Sequence, residues 1–438
     1  MKRTCTVLLV VLTVLMNLTG CAYSNRSVPP VHKENTVNLR IAWWGKELRN
    51  DVTVQVIKRY ESLHPNVKIE YETLTFSDYW KKIAPLAAGN VLPDIIQMDV
   101  SYLSQYSFLN LLEDLSPYIQ NGTIDISSIN EQYLSGGRIN GKLYGFNLGI
   151  NALYGFYDPE ILRANGVAEP EENLSWEDLE KIGETISNKE LYVADYFTPE
   201  EFFAYYLRQQ GYSLYHKDGS KLGYEDDRLF IDYFGRMQRL ARAKWIHSPG
   251  FYISDTQYLN DDRLISDAPS LFSWSYSNQF ITVTPSGESP LKVIPPPGPN
   301  LNRGLFLKPG MMFSIAKNSK QKQEAARFIN YFVNDLEANL ILKGERGVPV
   351  SSKVLAGMLP HVNPQMAQIF EYIAWVEKNS SPMDPPPPVG TEEVTKLLVD
   401  LYDQMLFDRL TPEAGAVQFR QRANEILAQY AQTQVQYQ

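Results

Sequence analysis

The order of apolar and polar positions sets the first elements of the chain. In "VNLRIAWWG" the residues Val37, Leu39, Ile41 and Trp43 alternate with polar ones, the two-residue period of a strand. "VTVQVIKRYESLHP" puts Val56, Ile57, Tyr60 and Leu63 on one helical face, and Pro65 lies just past its end. "VKIEYETL" alternates again through Val67, Ile69 and Tyr71. "SDYWKKIAPLAAGN" places Trp80, Ile83, Ala84 and Ala87 on one face, with Gly89 at the C-cap. "PDIIQMD" reads as a short buried strand. The order β-α-β-α-β demands a parallel sheet with right-handed crossovers. Ligands of such sheets bind beyond the carboxyl ends of the strands. Three clusters converge there: Trp43-Trp44-Gly45, Thr73 to Phe76, and Asp99 to Tyr102. Successive strand residues point to opposite faces, so at least one of Trp43 and Trp44 is expected to be exposed.

Beyond this unit the pattern is looser. "GKLYGFNLGINALYGFYDPEIL" reads as a strand pair running into a helix at Asp158-Pro159. "TPEEFFAYYLRQQG" and "DDRLFIDYFGRMQRLARAKW" are amphipathic helices, and "SLFSWSYSNQF" is short, polar and aromatic. "KQEAARFINYFVNDLEANLIL" carries Ala325, Phe328, Ile329, Phe332, Leu336 and Leu340 on one stripe. The proline-broken stretches "PLKVIPPPGPN" and "DPPPPVG" are loops, and a last helix starts at Thr411-Pro412-Glu413.

The leader changes the picture of where the chain resides. Lys2 and Arg3 precede an apolar run from Thr6 to Met16, too short to span a bilayer. The order Leu18-Thr19-Gly20-Cys21 resembles the lipobox of bacterial lipoproteins. That resemblance implies cleavage before Cys21, with 1–20 as signal peptide and lipid chains on the new terminal cysteine. Residues 21–36 then form a polar, proline-containing tether. Of the two cysteines, Cys5 lies in the leader, so the mature chain forms no disulfide within itself. About 400 residues remain, enough for two or three domains. With a formal net charge of −9 and no basic stripe, nucleic acid is excluded as a partner.

Motifs for catalysis are missing. "GGRINGKL" supplies Gly136, Gly141 and Lys142 of a phosphate-binding loop, but Leu143 stands where a hydroxyl must be. The histidines make no metal-binding pair. Asp226-Asp227 and Asp261-Asp262 read as solvated surface rather than as glycosidase carboxylates.

Taken together, "LRIAWWG", "DYWKKIAPLAAGNVLPDIIQMD", "INGKLYGFNLGINALYGFYDPEIL", "FSWSYSNQ", "MMFSIAKNSKQKQEAARFINYFVND" and "GERGVPV" resemble the extracellular solute-binding proteins of sugar ABC importers. Within that maltose-binding-protein-like group they are most similar to binders of pectin and rhamnogalacturonan fragments. The resemblance implies an α/β, two-lobed periplasmic-binding-protein-like fold of type II with the ligand cleft between the lobes. It puts 37–149 and 311–349 in the first lobe, and 150–310 and 350–438 in the second. The chain would cross near Gly149, Gly310 and Gly347. It further implies a non-enzymatic, cofactor-free, membrane-anchored monomer. This would capture an oligosaccharide, acidic in character, and pass it to permease subunits served by a separate ATPase. The alternative is a surface-anchored glycosidase or lyase; a purely adhesive protein is a third.

A sugar offers apolar faces to aromatic rings and hydroxyl edges to carboxylates and amides. Trp43, Trp44, Trp80 and Trp274 are the candidate platforms, although Trp80 also fits a buried helix face. Asp99, Asn147, Asn151, Asn278 and Gln279 are candidate hydroxyl partners, with Asn147 and Asn151 equally readable as turn residues. Lys308 is the candidate for a uronate, ahead of Lys81 and Arg138, and Arg346 is read as holding its own loop.

Overall fold

A computed structural model describes residues 36–170, 173–186, 191–247, 270–282 and 291–436. The expected leader, most of the tether, Cys21 and the side chain of Gln279 lie outside the described residues. The chain opens with β1 (Val37–Trp44), α1 (Glu47–Leu63), β2 (Val67–Leu74), α2 (Phe76–Ala88), β3 (Ile95–Met98) and α3 (Val100–Phe108). After a small hairpin of Arg138–Ile139 with Lys142–Leu143 come β4 (Phe146–Asn147), β5 (Ile150–Asn151) and β6 (Leu153–Tyr157). Next come α4 (Trp176–Thr185), β7 (Tyr192–Ala194), α5 (Pro199–Gln209), α6 (Arg228–Arg242), β8 (Ser270–Tyr276) and β9 (Lys292–Ile294). Strands β10 (Lys308–Pro309) and β11 (Met312–Ile315) precede α7 (Lys322–Asn334), α8 (Leu336–Leu342) and α9 (Ser352–Met358). Helices α10 (Pro364–Lys378), α11 (Thr391–Leu406) and α12 (Pro412–Gln436) close the chain.

Two sheets organise two lobes. The first has the order β2-β1-β3-β11-β4. β1 runs parallel to both β2 and β3, as the β-α-β-α-β pattern requires, and β11 returns antiparallel to β3 with Phe313 opposite Gln97. The second has the order β9-β6-β8-β7, with Trp274 of β8 opposite Gly155 of β6.

Both faces of the first sheet are covered, and this overturns one expectation. Ile41 to Trp44 are all buried. Trp43 sits under α1, where its indole N–H donates to Asn50 Oδ1 at 2.9 Å. Trp44 points the other way, into Tyr79 and Trp80 of α2. Opposite faces did not mean one wet face, because a central parallel strand has helices on each side. Helix α2 begins at Thr75, whose side chain accepts from Asp78 N, and stops at Gly89, while Asn90 takes the positive φ of 53°.

The chain passes between the lobes through a tight knot of backbone. β5 pairs with β10, and Ile150 exchanges hydrogen bonds of 2.7 and 2.9 Å with Val348. Gly310 N donates to Gly149 O at 2.7 Å. A Cβ on Gly149 or Gly310 would stand 2.5 or 2.2 Å from the Arg346 carbonyl oxygen, so no side chain fits either position. Gly347, at φ 111°, supplies a backbone form that other residues avoid.

The sequence reading starts the second lobe at 350, but the next segment packs on the first. Ser352 N donates to Ser128 O, and Gly357 of α9 lies against Leu336 of α8. Only with α10 does the chain reach the second sheet, where Tyr372 Oη donates to Leu153 O at 2.6 Å. Arg346 is buried beneath the first lobe, donating to Gln97 Oε1 and to Thr53 Oγ1, and burial pulls its pKa down to about 9. It holds its loop.

Candidate functional site

At the carboxyl end of the first sheet the aromatic residues form a layered wall. Trp44 and Trp80 are its buried base, with ring centroids 5.8 Å apart. Tyr102, from the first turn of α3, stacks on Trp80 at 3.7 Å and 14°. Phe76, at the start of α2, meets Trp44 edge-on and keeps 47% of its surface exposed. The strand ends fix this grouping: Trp44 closes β1, Phe76 follows β2, and Tyr102 follows β3.

The facing wall carries charge. Helices α5 and α11 each open with a threonine and a pair of glutamates, Thr198-Pro199-Glu200-Glu201 and Thr391-Glu392-Glu393. Carboxylates in a first turn favour the helix dipole, so each helix supports its own pair locally. Lys308 of β10 reaches over the Tyr276 ring at the end of β8, with Nζ 4.0 Å from the centroid, a cation–π contact.

Electrostatics tie these groups together. Burial pulls the Lys308 pKa down, but Tyr276, Glu201 and Asp99 outweigh it and hold the ammonium firmly charged. Burial, with the neighbouring Glu201 charge, pushes Glu200 up from 4.5 to about 7 against the pull of Lys308. Glu392 is raised by burial, then by Asp99 and Glu393. Tyr276 is raised by burial despite Lys308. Tyr215, pushed up to about 12 by burial, sits beside Thr391 and Thr395 of α11 and feels the Glu200 charge of α5. Asp99 spends one oxygen capping α3, accepting from Ser101 N at 2.9 Å, while its charge reaches Lys308 and Glu392.

Several expected site residues fall elsewhere. Trp43 is fully buried and has no face to offer a ligand. Trp274, 3% exposed, is stacked between Phe197 and Phe272 and fills the space above Gly155, so it belongs to the core of the second lobe. Asn147 is a buried turn residue: its Nδ2 donates to Tyr133 O and its Oδ1 accepts from Gly149 N. Asn151 is a structural wedge of the crossing. Its Oδ1 accepts from Ser277 Oγ at 3.2 Å and lies against Gly347. Trp44 and Trp80 support the aromatic wall rather than surface it. Asn278 is half-buried in the turn after β8. Lys81 is exposed and paired with Asp78, and Arg138 is paired with Glu131.

Glu200, Glu201, Glu392 and Tyr276 were not singled out in the sequence, and Phe76 and Tyr102 only as ends of the strand-end clusters. Glutamates just after a threonine at a helix start read as ordinary dipole partners, which hides a second role. The clue was the same Thr-then-Glu-Glu opening on two helices.

Among the described residues no group of three or more His, Cys, Asp or Glu side chains is arranged to hold a metal, and none of their helices is long and apolar enough to cross a membrane. A surface cavity of about 540 Å³ between α6 and the start of α12 shares no residue with this site. Its arginines Arg236, Arg239 and Arg242 are paired with Glu177, Glu180 and Asp408.

Comparison with known proteins fits this architecture. The family model for bacterial extracellular solute-binding proteins matches residues 55–368. The arabinooligosaccharide-binding protein of Bacillus subtilis is 23% identical over 353 residues, covering 77% of this chain and 78% of that protein. An extracellular solute-binding protein of family 1 from Alicyclobacillus acidocaldarius superposes with a TM-score of 0.70 at 26% identity, over 90% of this chain and 99% of the other. A periplasmic oligogalacturonide binding protein from Yersinia enterocolitica, solved with digalacturonic acid, gives a TM-score of 0.75 at 21% identity over 90% of this chain and 100% of its own, a likeness of fold alone. With the family model spanning most of the chain and the two-lobed fold in place, this protein belongs to the bacterial extracellular solute-binding proteins.

Proposed function

We propose that this protein is the oligosaccharide-capturing component of an ABC importer. It is anchored at the outer face of the cell membrane through a lipid on Cys21, acts as a monomer without a cofactor, and delivers its sugar to permease subunits served by a separate ATPase. One arrangement carries the reading: Asp99, at the strand end that bears the aromatic wall, interacts electrostatically with Lys308 of the crossing strand and with Glu392 at the start of α11, while Lys308 also answers Glu201 of α5. A sugar ring matches both, its C–H faces against Phe76 and Tyr102 and its hydroxyls against Asp99, Glu200, Glu201, Glu392 and the half-buried Asn278. The names of the Bacillus and Yersinia relatives support an oligosaccharide as the ligand class.

The first lobe then holds 37–149 and 311–358, and the second holds 150–310 and 364–438. A ligand touching both favours the closed state by its differential affinity. Gly149, Gly310 and Gly347 are the pivot. Replacing Cys21 with Ser should release the protein from the membrane fraction.

One feature favours the enzymatic alternative, since burial and the adjacent Glu201 push the Glu200 pKa up to about 7. Neighbours on a helix, however, point about 100° apart around its axis. They do not flank one bond as a glycosidase pair does, so binding is the better reading. The test is a thermal-shift screen of the full chain against plant and bacterial oligosaccharides, with product analysis of each mixture. A ligand at 100 times Kd should add about 2.7 kcal/mol to stability. Cleaved sugar would support the enzyme, and no shift with any oligosaccharide would overturn the proposal.

A further inference from the structure

The resemblance to pectin-fragment binders implied an acidic ligand, with Lys308 as its anchor. The site's own charges argue otherwise. We infer that the site takes an oligosaccharide without carboxylate groups, and that Glu200, Glu201, Glu392 and Asp99 exclude uronates from it. This rests on the oligosaccharide reading above and narrows it.

The charge balance is the first ground. Three half-buried carboxylates, Glu200, Glu201 and Asp99, act on the place where Lys308 ends, and the exposed Glu392 feels the Asp99 charge beside them. The ammonium is already engaged by the Tyr276 ring and by the charges of Asp99 and Glu201. A uronate reaching it would be the fourth carboxylate around one cation. At Glu392 the charged neighbours Asp99 and Glu393 are both of its own sign. The other basic candidates, Lys81 and Arg138, have acidic partners of their own.

The hydrogen-bonding inventory is the second ground. An ionised carboxylate only accepts, and a sugar hydroxyl can donate to it. A uronate would bring two more acceptors to a wall where Glu201 and Asp99 already accept. The first turns of α5 and α11, which would otherwise attract an anion, are occupied by their own glutamates. A site of this composition discriminates by repulsion, leaving hydroxyl-rich neutral chains as the accepted class.

The experiment is calorimetry of the full-length protein with two matched series, neutral arabinan and glucan fragments, and galacturonan and rhamnogalacturonan fragments of equal length. A neutral sugar should bind at least about tenfold more tightly than any uronate oligomer of its length. In the Glu200→Gln/Glu201→Gln double variant the gap should narrow, with unchanged heat capacity of unfolding showing that the fold is intact. A second measurement needs no variant. Salt screens like-charge repulsion, so residual uronate binding to the wild type should strengthen with added salt. A uronate that binds as tightly as the neutral series, or whose binding weakens with salt, overturns the inference and restores Lys308 as an anion anchor. Binding of neither series would fall on the oligosaccharide reading itself, and this inference would go with it.

Discussion

The two walls of the site are built in opposite ways. On the first lobe, rings stack from a buried base outward, Trp44 and Trp80 beneath Tyr102 and Phe76. On the second, charged side chains project from two helix starts and one strand. The aromatic wall gains from burial and tolerates small shifts of a ligand, because dispersion and the hydrophobic effect have little direction. The charged wall is directional, and burial makes each of its groups costly to leave without a partner. The first wall should therefore govern how tightly a sugar is held, and the second which sugar is accepted.

The largest effect separates core from wall. Trp274→Ala should cost about 3–5 kcal/mol of stability, as for a large aromatic removed from a packed core. Its denaturation midpoint should fall sharply with or without sugar. A variant that melts normally but binds weakly would return Trp274 to the site. Next comes Tyr102→Ala, which should reduce affinity by about 1–2 kcal/mol through lost stacking, with a smaller change in unliganded melting. If affinity holds, the half-buried Tyr102 ring is not a platform.

Smaller effects sharpen the charged side. Asp99→Ala should cost about 1 kcal/mol of stability as a lost helix cap, while Asp99→Asn keeps the cap and reports the charge alone. The smallest is a pH effect. Glu200 faces Glu201, Lys308, Tyr215, Tyr233 and Tyr276. Burial raises its folded pKa from 4.5 to about 7, so the unfolded chain ionises first as pH rises. Folding stability from this group is therefore lost between those two values. Glu200→Gln should flatten that part of the curve measured by denaturant unfolding, and an unaltered slope would reject Glu200 as its source.

Much of the first lobe was legible because its elements obey single periods. Val37 to Trp43 alternate, Val56, Ile57 and Tyr60 share a helical face, and the alternation of strands with helices leaves one sheet topology. The site was legible only as regions. The strand-end rule found Thr73 to Phe76 and Asp99 to Tyr102, but it could not say which ring faces out. Trp43 and Trp44 were misjudged because period tells opposite faces and not what covers them. Trp274 was misjudged because its neighbours, Phe197 and Gly155, are far away in sequence. The glutamate pairs escaped since a local role explained them fully.

The Arg346 carbonyl wedged between Gly149 and Gly310 has a mechanical consequence. Backbone packed this closely leaves no slack for the strands to slide, so the permitted motion is a twist about a narrow axis. A narrow axis makes each lobe a lever. Close to the pivot, where Ile129 pairs with Ser351, Asn130 Nδ2 donates to Glu377 at 3.1 Å, a contact that slight torsion at the glycines moves little. A pair of dyes placed far from the glycines, one on each lobe, would read the twist as a change in distance, turning the protein into a gauge of its own closure.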